Sequence, residues 1–401
     1  MSRPAEGGGG GGEGRPLRVL QVIESLSRGG AERRLVNDLA YLGGEAVESR
    51  VAHVLPANDL KPEVEALGIE AEWLGVSGPR DIPKGVHRLR KIIRKRRPDI
   101  VHAQLFYADV CARLAGRWAG RVPVMTSIQN TMYEADWKGF YDQSKRLRVD
   151  RFTARRFCHH AVAVSRHAKR SAVRLLGFRE DRVTVIHNTV DTARFAAPDP
   201  ALRRAVRAEL GAAPDEFVLA GAARFVPQKG FAVMVRAVEK LLPLVPRARL
   251  YLAGGGEEEE GLRGLSRSLN LGGRVVFLGV RDDAHRVFQA ADAVLFASLA
   301  SEGFPLVPLE AMALGVPVAA SRIEPMGELI EDGATGLLFT PGDPDALAGV
   351  LAGLARDEAR RTAIAEAGRR RVHDHFSARQ GARLLAACYR EVASRVSGNG
   401  K

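Results

Sequence analysis

Acids are scarce in this sequence. There are 47 Asp and Glu against 60 Lys and Arg, a net charge of +13. The deficit is local: residues 1–195 hold 34 cations and 22 acids, whereas residues 196–401 hold 26 and 25. A basic half points to a polyanionic partner, which could be nucleic acid, an anionic membrane surface or a phosphorylated substrate. Aromatic residues are only 6% of the chain and do not interleave with the basic residues, so no base-stacking platform is expected. Cysteine is almost absent. Cys111, Cys158 and Cys388 form no CxxC, which excludes a disulfide framework and a zinc ribbon and makes a reducing compartment the expectation. Long apolar runs are lacking too, since the best stretch, Leu306–Ala320, carries Glu310 in its interior. Residues 1–14 are Gly-rich without an apolar core, a tail rather than a signal peptide. Any membrane contact is therefore expected to be peripheral.

What is present is a globular composition, 46% hydrophobic over 401 residues, enough for two domains. Strand-like and helix-like segments alternate. Leu17–Glu24, Arg50–Leu55, Asp99–Ala103, Pro123–Ile128, Ala161–Ser165 and Val183–His187 read as strands. Helices are expected at Ala31–Leu42, Val64–Leu67, Val86–Arg97, Ala108–Trp118 and His167–Leu176, the last ended by Gly177. An Ala/Pro/Asp-rich linker covers Ala196–Pro214, and alternation then restarts. Strands are expected at Phe217–Ala222, Leu250–Ala253, Val275–Gly279, Ala293–Ala297 and Val316–Ala319, and a final helix at about Ala378–Val396. Two such series predict two doubly wound, Rossmann-like α/β domains, residues 15–195 and 196–377, facing a cleft. Ligands of these sheets bind at the carboxyl ends of the strands.

Three segments at such ends carry chemistry. Ser301–Met312 follows a strand, with Glu302 in the loop and Glu310 expected in the first turn of the next helix. Gly303 lets backbone approach a ligand, and the amides of Phe304, Leu306 and Val307, around Pro305, suit an anion. Ionised carboxylates there suit a sugar diol, although Glu310 could equally serve the helix dipole. Arg224 and Lys229, on the loop after Phe217–Ala222, have the spacing for a diphosphate. Gly29-Gly30-Ala31-Glu32 opens the first helix, where bare amides can meet a phosphate. It is not GxGxxG, and no acid ends the second strand, which argues against NAD.

Together these segments resemble the GT-B-fold retaining glycosyltransferases of family 4, the group 1 type. The resemblance runs from Leu17 to the last helix and is densest over Ala222–Gly342. Glu302 and Glu310, with seven residues between them and followed by Ala-Met-Ala-Leu-Gly-Val-Pro-Val, carry it most specifically, with Val185–Asp191, Leu252–Gly256 and Gly333–Asp343 in support. It implies that Arg224 and Lys229 bind the donor diphosphate and that Glu310 binds ribose hydroxyls. Glu302 and the amides of Gly303 to Val307 would hold the donor sugar and diphosphate. Gly30 would bring the first helix close to phosphate and acceptor, and the base would lie near Gly279–Asp282. The last helix, about 378–401, would cross back to the N-terminal domain. The implied reaction moves a hexose, with retention and without metal or other cofactor, from a UDP-sugar or GDP-mannose to a glycan or polyprenyl-diphosphate-linked acceptor in cell-envelope polysaccharide or glycolipid synthesis. The implied place is cytoplasmic, peripheral at the inner face of the membrane. One departure stands out: Gln129 occupies the segment where many relatives carry His or Arg.

Other readings remain at this stage. A sugar-nucleotide epimerase or a phosphorylase could share the fold, and a nucleic-acid-binding protein could use the basic half. His102 could face the cleft or sit in the core. His159-His160 lacks further ligands at metal spacing, Asp343-Pro-Asp345 reads as a turn and helix cap, and Arg88–Arg97 reads as a solvated helix face or a membrane-facing one.

Overall fold

A computed structural model describes residues 15–120, 122–131, 133–135, 144–195 and 199–398, so the Gly-rich tail lies outside the described residues. The first sheet is parallel with seven strands: β1 (Leu17–Ile23), β2 (Val47–His53), β3 (Ala71–Trp73), β4 (Ile100–Gln104), β5 (Val124–Ile128), β6 (His160–Ala163) and β7 (Val183–Val185). Their order is β3-β2-β1-β4-β5-β6-β7. Helices α1 (Gly30–Leu42), α2 (Lys61–Ala66), α3 (Ile82–Arg96), α4 (Phe106–Ala119), α5 (Ser144–Phe157) and α6 (Arg166–Ser171) connect them. The second sheet has six parallel strands: β8 (Phe217–Ala222), β9 (Ala248–Ala253), β10 (Val275–Gly279), β11 (Ala293–Phe296), β12 (Val318–Ser321) and β13 (Leu337–Phe339), ordered β10-β9-β8-β11-β12-β13. Its helices are α7 (Pro200–Glu209), α8 (Phe231–Leu241), α9 (Glu259–Ser268), α10 (Ala284–Ala290), α11 (Leu306–Ala313), α12 (Met326–Leu329), α13 (Pro344–Arg356) and α14 (Glu358–His375). The closing helix is α15 (Ala378–Gly398).

Alternation within the strands builds both faces of the first sheet. Leu20, Val22, Val101 and Ala103 pack under α3 and α4, while Val19, Ile100, Met125 and Val162 pack under α15. Leu385, Tyr389 and Val392 of α15 are buried there, each worth about 1.5–3 kcal/mol. Tyr389 also ends a buried polar chain, with Gln21 Nε2 at 2.9 Å and His102 Nδ1 at 2.6 Å. The other ring nitrogen of His102 lies 2.9 Å from Ser127 Oγ, and burial lowers its pKa to about 3. His102 is therefore a core histidine that ties α15 down, not a group facing the cleft. His159 and His160 are likewise spent on Val124 N and Thr184 Oγ1.

The chain passes between the sheets twice, and the two passages pair. Val190 N donates to Phe376 O at 3.0 Å, and Ala378 N to Val190 O at 2.8 Å. Several predicted elements shift by one to three residues: the strand expected at Arg50–Leu55 is Val47–His53, and that at Val316–Ala319 is Val318–Ser321. The Asp343 side chain accepts from Ala346 N at 2.9 Å and caps α13, and Asp345 faces Lys240, so this pair is helix chemistry.

Candidate active site

The carboxyl ends of β1, β4 and β5 face those of β8 and β11 across a cleft of about 1400 Å³. Gly30, Arg224, Lys229, Glu302, Gly303, Phe304, Pro305, Leu306 and Val307 all line it. Nine of the ten candidate residues, spread over 278 positions of sequence from Gly30 to Val307, are thus brought to one wall or the other.

The loop after β8 presents the cations. Arg224 is exposed in the cleft, where its charge favours the ionised form of Glu32. Its loop is supported from behind by the glycine turn after β9, with Phe225 N donating to Gly255 O at 2.9 Å. Gly254 has φ +147°, and a Cβ there would lie 2.0 Å from Ala223 O. Lys229 ends a short 3₁₀ turn, Pro227–Lys229, closed by Gly230 at φ +64°. Lys229 Nζ donates to Glu302 Oε1 at 2.6 Å, and Ser298 Oγ donates to the same oxygen at 2.7 Å. Cation and carboxylate form one unit joining the loops after β8 and β11, which neither motif alone announced.

The loop after β11 presents donors. The amides of Gly303, Phe304, Leu306 and Val307 have no acceptor among the described residues. Leu306 and Val307 open α11, so their N–H groups cannot bond within the helix. Helix α1 opens on the same space from the other wall, its Ncap Gly29 extended. A Cβ on Gly30 would meet only Leu306 Cδ1, at 3.9 Å. Two helix N-termini therefore converge, a favourable field for an anion. Glu32 in the first turn of α1 is held by the hydroxyls of Ser25 and Ser27, at 2.9 and 3.3 Å, and burial raises its pKa.

One expectation gains a second reason and another needs correction. Gly303 was expected to admit a ligand; it also admits the opposite domain, since a Cβ there would lie 2.1 Å from Gln129 O. Glu310 was expected in the first turn of the helix. Since α11 begins at Leu306, Glu310 sits in the second turn, away from the positive end, and does not line the cleft. Burial pushes its pKa up to about 7, against the pull of Arg194 and Arg33.

Other residues contribute, and Glu24, Leu105 and Arg28 among them were not singled out in the sequence. Asn188 takes a 2.8 Å hydrogen bond from Arg34 Nη1 and donates at 2.6 Å to Phe304 O, so it holds the donor-rich loop against α1. Glu24 lines the cleft and a side pocket of about 120 Å³ beyond it. Burial raises its pKa although Tyr107 N donates to it at 3.1 Å. Leu105, between these spaces, has φ +74°, a costly conformation for leucine. Gln129 lines the cleft with its side chain held by Gln104, 3.0 Å away, and offers no side-chain base. Arg28 reaches across to Asp282, so the segment 279–282 is joined to the loop after β1. Among the described residues, no three His, Cys, Asp or Glu side chains cluster to hold a metal ion.

The arrangement can hold a diphosphate between cations and bare amides and can accept hydrogen bonds from hydroxyls beside it. Comparison with known proteins gives the family. Residues 28–194 match the description "Glycosyltransferase Family 4", and residues 203–371 match "Glycosyl transferases group 1". The chain is 30% identical over 354 residues to the lipopolysaccharide core biosynthesis glycosyltransferase LpsE of Rhizobium meliloti, covering 87% of this chain and 92% of that one. Over 182 residues it is 39% identical to a D-inositol 3-phosphate glycosyltransferase of Mycobacterium avium, 44% of this chain and 41% of that one. Among solved structures, Anabaena Alr3699/HepE in complex with UDP and glucose superposes with a TM-score of 0.83 at 25% identity, over 94% of this chain and all of that one.

Proposed function

We propose a reaction for a chain that belongs to the family 4, group 1 glycosyltransferases and has their GT-B fold: transfer of a hexose, with retention, from a nucleotide-diphospho-sugar. The observation that carries this reading is the exposed Arg224 beside the Lys229–Glu302 unit, lining one cleft with four bare amides. The diphosphate of a UDP-sugar or GDP-mannose would lie against Arg224, Lys229 and the amides of Gly303 to Val307. The complex of HepE with UDP-glucose supports the uridine donor. Glu302 would face the sugar, and Glu310, half-buried one helical turn beyond the lining residues Leu306 and Val307, would meet the ribose at the edge of the cleft. The acceptor oxygen would bond to the anomeric carbon on the face from which the diphosphate departs. Its proton would pass to a phosphate oxygen, and the bond from the anomeric carbon to the diphosphate would break. In this scheme the protein positions the reactants and stabilises the leaving charge, with no metal and no side-chain base.

The domain of β1–β7 with α15 would bind the acceptor, a glycan or a polyprenyl-diphosphate-linked sugar, in cell-envelope polysaccharide or glycolipid synthesis. The domain of β8–β13 would bind the donor. No helix among the described residues is long and apolar enough to cross a membrane; the proposed place is cytoplasmic, at the inner face of the membrane. The test is a panel of nucleotide sugars and acceptors with purified protein, following nucleoside diphosphate and glycoside together. Arg224→Ala and Lys229→Ala are expected to lower turnover by about 10²–10³. Full activity in both variants overturns the assignment, and nucleotide turnover without a new glycoside points to an epimerase or a phosphorylase.

A further inference from the structure

The outer layer of the first domain is made by α3, α4 and α5, which pack side by side. The three helices contain only two acids, Asp109 and Asp150. Both are buried, and both point to the guanidinium of Arg113, at 3.5 and 2.5 Å. Burying this cluster strips the outer face of the three helices of every carboxylate they own. What remains outside is basic. Lys84, Arg88, Lys91, Arg94 and Lys95 are exposed on α3, and Arg148, Arg151, Arg155 and Arg156 on α5.

Apolar groups stand among these cations. Val149 and Phe152, three residues apart on α5, are 46% and 65% exposed, and Trp118 at the end of α4 is 53% exposed. Beside Trp118, Arg90, Arg94 and Arg117 line a groove of about 680 Å³. Two of these arginines donate to the Trp118 carbonyl, at 3.0 and 3.3 Å, which fixes the groove.

We infer that this α3–α4–α5 face is a docking surface for an anionic lipid bilayer. Cations with no neighbouring acid on their own helices attract an anionic leaflet. Trp118 sits where indole is favoured, at the headgroup level, and Phe152 with Val149 forms an apolar wedge that a polynucleotide would leave exposed to water. The face also runs into the cleft, because Lys145 and Arg146 in the first turn of α5 line it. A docked protein would thus present the acceptor side of its cleft to the leaflet. This extends the lipid-linked acceptor reading, but its test needs neither donor nor acceptor.

The experiment is co-sedimentation of the full chain with vesicles of phosphatidylglycerol and phosphatidylcholine, against vesicles of phosphatidylcholine alone. Binding only to the anionic vesicles, weakened by salt, is expected. Arg148→Gln with Arg151→Gln should weaken it by about fivefold per cation removed, and Phe152→Ser should weaken it further. The thermal midpoint and donor hydrolysis of these variants should be unchanged, since the residues are exposed and outside the cleft. Equal binding to neutral vesicles, wild-type binding by the variants, or displacement of vesicles by RNA would overturn the inference. Vesicle binding that persists while glycosyl transfer is absent would sink the reaction scheme alone.

Discussion

Glu310 would carry a charge that changes over the pH range in which most enzymes work. Burial lifts its pKa from 4.5 to about 7, so the folded chain holds this proton more tightly than the unfolded one. Stability from this group is therefore full below about pH 4.5 and falls as pH rises toward about 7. A hydroxyl donor needs the ionised form, so donor affinity should move the other way, up to about tenfold weaker at about pH 6 than on the plateau. Titration calorimetry with a UDP-sugar across this range should show the slope, and Glu310→Gln should flatten it; a slope unchanged in the variant would rule Glu310 out. Arg224, Lys229 and Glu302 were legible in sequence because they stand on loops after strands, where chemistry collects. The Lys229–Glu302 contact was not legible, because it joins loops 73 positions apart. Nor was Leu105, whose strain lies in a backbone angle that its side chain does not announce. Asn188 was readable only as part of a family segment; its bonds to Arg34 and Phe304 O needed the fold.

At the scale of elements, two glycines at helix entrances separate packing from ligand space. Gly303→Ala would drive a Cβ to 2.1 Å from Gln129 O, so the β11–α11 loop and the β5 loop must part. Gly30→Ala would meet nothing nearer than 3.9 Å. The first variant should lose kcat/KM and enlarge the radius measured by small-angle scattering. The second should keep its size and thermal midpoint, so any loss of activity would report crowding of the ligand. Equal radii for both variants would contradict this assignment of Gly303. Elements that bury a clear apolar stripe were predicted well, α1 and α15 among them. Helix α5 escaped because the residues it buries include Asp150 and Thr153, and α14 because Ile364, Gly368 and Val372 are its whole buried set. Strand β3 escaped because Ala-Glu-Trp is too short to show a period.

At the scale of the molecule, two sheets around a linker could be read from alternation alone, whereas the contacts that set the sheets against each other could not. One of these is Glu328 on α12, which accepts from the amides of Arg166 and His167 at 2.9 and 3.2 Å and lies 3.0 Å from His187 Nε2. Burial raises its pKa, but these bonds outweigh burial and leave it below the usual carboxylate value. Its stabilisation is thus present above about pH 4.5 and lost as pH falls through the lower folded value. Glu328→Gln should cost about 1–2 kcal/mol near neutral pH and less in acid, measured by urea unfolding; equal losses at both pH values would deny the carboxylate this role. The paired passages at Val190 and Phe376–Ala378 reach further still. They make the second sheet an insertion within the first domain, so a ribosome completes the inserted sheet before it releases α15. Until then the first domain lacks the cover that Leu385, Tyr389 and Val392 give to Val19, Ile100 and Met125. The nascent chain must therefore finish its second domain while the first waits with the part of its sheet around Val19, Ile100 and Met125 uncovered, open to chaperones or to aggregation.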